Sequence, residues 1–169
     1  MTVNVTAGSA IFIAYDTVAN TPLFQAPTSL TEYLAIGVDP AINEWRLVGE
    51  VEDLGDIGDE AATTEFTAVD NRRVRKFKTT FDAGTIDITV GDDTTDDGQN
   101  AMLEALASDF NVPFRIDLSD QLTNGGSPTQ VFNHGIVTGN RRTLGTVDNI
   151  VKKAIPIALN GDFFEVAAT

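Results

Sequence analysis

No cysteine occurs among the 169 residues, which excludes disulfides and thiolate chemistry and is compatible with a reducing compartment. Histidine is nearly absent too, so any histidine-based triad has to use His134. Cations are scarce: 11 Lys and Arg stand against 25 Asp and Glu, a formal net charge of −14. A partner gripped through its phosphates needs Lys and Arg, so tight nucleic-acid binding is disfavoured. DNA passing nearby without sticking is not excluded. One Trp and two Tyr are few for a carbohydrate-stacking platform. No apolar run approaches the roughly 18 residues of a membrane helix, and the opening MTVNVTAGSAIFIAY lacks the basic start of a signal peptide. No membrane partner is therefore expected, and the Asn4 sequon has no weight without a secretory context. Neither GxGxxG, a Walker loop nor a nucleophile-elbow GxSxG occurs. No enzyme activity and no cofactor are expected.

What is present suits one domain over residues 1–169. Hydrophobic residues make up an ordinary 42%. A chain of this length buries about 70% of the surface that it exposes unfolded. Residues 8–15, GSAIFIAY, are a short apolar run that fits a buried strand or a short helix, the strand being the better reading. Residues 16–44 are rich in Thr, Pro, Asn and Ala and read as a long connection, an arm or insertion, within which SLTEYLAIGV forms a turn of helix or a short strand. WRLVGEVEDL (45–54) reads as one strand leading into an acidic loop. A hairpin is expected from VRKFKTTF (74–81), the turn DAG and TIDITV (85–90). In its second strand Ile86, Ile88 and Val90 alternate with Thr85, Asp87 and Thr89.

Further along, NVPFRIDL (111–118) alternates with Val112, Phe114, Ile116 and Leu118 on one face. QVFNHGIVTG (130–139) is a strand expected to break at Gly135. In NIVKKAIPIAL (149–159) Ile155, Ile157 and Leu159 share a face. Pro156 has no amide proton, so this strand is expected at an edge or with that position facing solvent. The sum is a mainly β domain, a sandwich or small barrel flanked by one α-helix.

The stretch DTTDDGQNAMLE (93–104) places Asp93, Thr95, Asp97, Gly98 and Glu104 where a twelve-residue calcium loop has its ligands and glycine. A calcium loop of that type follows a helix, however, and a strand precedes this one. The stronger reading is a capped helix: Asp96 and Gln99 have capping-box spacing, and Met102, Leu103, Leu106 and Phe110 form an apolar stripe. No metal is expected. His134 reads as a structural residue in a strand. The basic run DNRRVRKFK (70–78) is either a solvated strand edge or a patch that meets acidic surface on another copy of the chain.

In order and spacing, the Trp45 strand, the acidic loop, TIDITVGDD, the Gln99 helix, FRIDL with Phe114, the F-x-x-G-x-V at 132–137, Gly145 and the closing VKKAIPIAL resemble the major tail tube proteins of phages with long non-contractile tails, over roughly residues 45–160. The resemblance implies a β-sandwich or small barrel with a flanking helix. It implies six copies in a ring, and rings stacked into a tube that DNA traverses during ejection. The other partners would be the tape measure, tail tip and terminator proteins; the place would be the virion tail, assembled in the bacterial cytoplasm. The long loop at 54–78 would reach a neighbouring subunit. A loop of Gly, Ala, Thr and carboxylates cannot repay its ordering entropy alone, about 1–2 kcal/mol per backbone residue, so it needs a partner surface. The candidate inter-subunit residues are Glu65, Phe66, Val69, Asp70, Arg72, Arg73, Arg75 and Lys76. Phe66 and Val69 are the apolar anchors, unless they tuck onto their own sheet. Asp87 and Thr89 are candidates to face the lumen, with an outer-surface position as the alternative. A tail completion or secretion-type tube component of the same fold, or a non-assembling ligand-binding β-sandwich, would fit the same pattern.

Overall fold

The apolar run AIFIAYD forms β1 (Ala10–Asp16), which buries Ile11, Ile13 and Tyr15 on one face. The structure, a computed structural model, describes residues 8–69, 73–122, 125–145 and 150–169. One edge of β1 pairs with β8 (Val112–Asp117), and near its end with the short β2 (Thr21–Pro22). The other edge pairs with β3 (Asn43–Leu47). From β8 the antiparallel sheet continues through β9 (Gln130–Val137), β11 (Lys152–Leu159) and β7 (Thr85–Gly91) to β4 (Val51–Asp53). Two short strands finish it: β10 (Arg141–Thr143) on β11 and β12 (Phe164–Val166) on β9.

The strand order forces this sheet to curl. β3 and β4 lie at opposite ends of it, yet only residues 48–50 separate them in the chain. So few residues span at most about 14 Å, so the two edges must approach. Glu50 makes the switch with a positive φ of 55°. WRLVGEVEDL is therefore two strands on two edges rather than one strand. The result is an incomplete barrel around Ile13, Ile86, Ile88, Phe114, Ile155 and Ile157.

Helix α2 (Asp97–Leu106) packs against β1, β2, β3 and β9, with its first turn at the 48–50 link between those edges. Its N-terminal turn lies so close to β3 that a Cβ on Gly98 would overlap the Leu47 carbonyl. Asp96 caps it as its spacing predicts, accepting from the Gln99 amide at 2.6 Å, and also accepts from the Gly49 amide at 3.2 Å. The buried face of α2 is Gly98, Ala101, Met102 and Ala105. This corrects the expected stripe: Leu103 and Leu106 are half-buried, and Phe110 lies beyond the helix, 69% exposed. Gln99 is buried on that face as well, and at Gly98 only a glycine fits against the β3 backbone.

A second, six-residue helix, α1 (Leu30–Ala35), lies in the 16–44 segment. Its Tyr33 is fully buried on the outer face of the sheet, with ring centroids 5.6 Å from both Phe132 and Phe164. Trp45 stacks on the same Phe132 at 6.0 Å and donates its indole N–H to the Ile36 carbonyl at 3.0 Å.

Three further expectations are corrected. Residues 74–81 do not pair with 85–90: β7 has both edges taken, by β11 and by β4. β9 runs through Gly135 without a break, because this glycine lets the Ala158 carbonyl of β11 approach where a Cβ would overlap it. β11 is interior, not an edge. Pro156 sits where its neighbour on one side changes from β10 to β9, and its carbonyl accepts from the Thr138 amide at 2.9 Å.

Candidate assembly surface

Residues 54–78 are mostly not a loop. β5 (Glu60–Thr67) pairs antiparallel with β6 (Val74–Asp82), and these two strands form a sheet of their own. Every residue of β6 is exposed, as is every residue of β5 except Ala61. Threonine-rich and alternating, the sequence suits an extended ribbon; an isolated two-stranded ribbon is marginal in water.

The register sorts its side chains. Phe66 lies opposite Arg75 and Thr64 opposite Phe77, so Phe66, Arg75 and Phe77 share one face. Glu65 lies opposite Lys76, on the other face, in an exposed ion pair of 3.3 Å that contributes little to stability. Phe66 is 56% exposed and Phe77 51%, and Val69 beyond β5 is fully exposed, so neither Phe66 nor Val69 tucks onto the barrel. Arg73 directly precedes β6. Asp70 and Arg72 lie outside the described residues. Phe77 and Phe81 were legible as the alternation in VRKFKTTF, but were assigned to the wrong hairpin.

Charge is divided unevenly between ribbon and body. Arg46, Arg115, Arg142, Lys152 and Lys153 each pair with a carboxylate of the barrel. Lys153 is almost fully buried, 2.5 Å from Asp92, and also donates to the Gln99 side chain at 3.2 Å; Arg142 takes the second Asp92 oxygen at 2.9 Å. Among the described residues, Arg75 and Lys78 of the ribbon, and Arg141 of β10, have no such carboxylate partner.

Asp87 is exposed and Thr89 half-buried on the outer face of β7, opposite to Ile86, Ile88 and Val90. Across the ladder they meet Pro156 and Ala154, so this face carries small side chains. Asp93 accepts from the amide and hydroxyl of Thr95 at 2.8 and 2.7 Å, which holds its carboxyl below the usual range. Among the described residues no group of three or more His, Asp or Glu is arranged to hold a metal ion. His134 is buried, its Nδ1 2.9 Å from the Tyr33 hydroxyl. Burial pushes its pKa below the ordinary imidazole value, while the Pro27 carbonyl and Asp162 pull the other way.

The chain is thus an incomplete barrel flanked by a helix and carrying a separate two-stranded ribbon. No protein-family model matches the chain, and no curated protein matches it in sequence. Solved structures do. The SPP1 tail tube, from solid-state NMR and cryo-EM, matches with a TM-score of 0.58 and 11% identity over 98% of this chain and 80% of that one. A chain of the anti-feeding prophage baseplate, from six-fold symmetrised cryo-EM, matches with a TM-score of 0.63 and 8% identity over 99% and 98%. The tail-tube resemblance of the sequence thus holds at the level of fold.

Proposed function

We propose that this chain is a structural protein of a phage tail, six copies of which close into a ring and whose rings stack into a tube. The observation that carries this reading is the exposed β5–β6 ribbon, three of whose Phe side chains are at least half exposed and two of whose cations lack a carboxylate partner, on a barrel with the tail-tube fold. Exposed apolar side chains on a marginal ribbon are stabilised when another copy covers them. The contact is head-to-tail, and such contacts close into rings when the rotation permits.

The net charge of −14 suits a conduit for DNA. A wall poor in cations gives little counterion-release gain, so DNA slides past it. Asp87 and Thr89 are the residues we assign to the lumen. Tape measure, tail tip and terminator proteins would meet the ends of the tube in the virion, after assembly in the bacterial cytoplasm. A second reading, a ring-forming baseplate component, is favoured by the near-complete mutual coverage with the baseplate chain.

Negative-stain microscopy and sedimentation of the concentrated protein test this. Tubes are expected; isolated six-fold rings would favour the baseplate reading. Single particles under all conditions, including nucleation by a tail-tip complex, would overturn both.

A further inference from the structure

We infer that the Phe24–Phe110 pair at the C-terminal end of α2 is the seat on which the ribbon of the next copy docks; this rests on the self-association proposed above. The two rings lie 6.0 Å apart and tilted by 54°, and they are 40% and 69% exposed. Phe24 follows β2 and Phe110 leads into β8, so the platform belongs to the β1–β8 side of the barrel. The ribbon leaves from between β4 and β7, with β9 and β11 between that point and β8. Three strand spacings make about 14 Å around the sheet. Donor and acceptor are thus separate surfaces of one molecule, as a head-to-tail contact requires.

The occupant follows from chemistry. Glu104 and Asp109 lie within six residues of Phe110, residues 97–114 hold no Lys or Arg, and the cations nearest on the β1–β8 side, Arg46 and Arg115, are each paired with a carboxylate. The distal ribbon is the reverse: Arg72, Arg73, Arg75, Lys76 and Lys78 fall within seven residues that hold no acid. The ribbon face Phe66–Arg75–Phe77 thus presents two aromatic rings around a cation. That face matches an aromatic pair in an anionic surround: ring meets ring, and the guanidinium lies over a ring face or against a carboxylate. Neither surface is covered in the isolated chain, since both stay exposed.

The absence of cysteine makes a direct test available. Phe77→Cys and Phe110→Cys variants are mixed under assembly conditions and treated with a short bismaleimide. A covalent dimer of the two variants is expected, and none when Leu144→Cys replaces Phe110→Cys. In parallel, Phe110→Ser should raise the protein concentration needed for assembly about tenfold or more, and Phe110→Tyr should restore it. Phe110 is exposed, so thermal unfolding of the isolated chain should not change. Normal tubes with no cross-link, or with Phe110→Ser assembling like the parent, would overturn the seat and leave self-association intact. Absence of any assembly by the parent chain would overturn both.

Discussion

Lys153 stands on the core-facing side of β11, in the alternation that buries Ile155, Ile157 and Leu159, and nothing in KKAIPIAL distinguishes it from a solvated lysine. Its charge is tolerated because Asp92 and the Gln99 carbonyl meet it. Gln99 then donates to the Gly49 and Gly91 carbonyls, so one polar chain joins α2, the β3–β4 switch and β7. Lys153→Ala should destabilise the isolated chain by about 3 kcal/mol in denaturant unfolding, the low end for a broken buried pair because Arg142 still neutralises Asp92. His134 makes a different prediction. Its folded pKa is depressed, so on acidification the unfolded chain takes up the proton first. Its contribution is therefore fully present above about pH 6.5 and is lost as pH falls through the folded value. His134→Asn should lose less stability than the parent between neutral pH and about pH 5, read from urea midpoints.

At the scale of elements, the ribbon and helix α2 behave oppositely. α2 is bound by its cap, by Gly98 against backbone and by Gln99. The ribbon buries little and is held mainly by its own ladder. Its amides should exchange with solvent far faster than those of β8 and β9 in the isolated chain, and become protected on assembly. Phe66→Ser together with Phe77→Ser should change the unfolding free energy by about 0.5 kcal/mol or less, since exposed positions contribute little. Assembly should nevertheless be abolished, as measured by sedimentation. A large loss of monomer stability would mean that these rings pack on their own barrel.

For the whole molecule, the central quantity is the excess of carboxylates. At physiological salt a charged wall acts over about 8 Å, so its influence on DNA is confined to the surface that the DNA passes. Asp87→Lys and Thr89→Lys place two cations on the outer face of β7 without touching the core. Tubes should still form, and DNA delivery should fall. Unchanged infectivity would move the lumen to another face of the barrel.

The alternating strands β7, β8 and the core face of β11 were legible residue by residue, because burial on one face of a sheet writes a period of two into the sequence. The Asp96 cap was equally local, a side chain meeting an amide three residues on. Partner choice was not local. That β6 turns to β5 and leaves β7 to β11 and β4 depends on which edges are already filled, a property of the whole sheet. For the same reason the ribbon was read as a loop: residues exposed on both faces carry no burial pattern to read. Sequence alone determined a mainly β, anionic, cysteine-free chain with one capped helix. Only the tertiary structure decided that the sheet curls, that the helix packs across β1, β3 and β9, and that β5 and β6 pair as a separate ribbon, because each of these depends on segments far apart in the chain meeting in space.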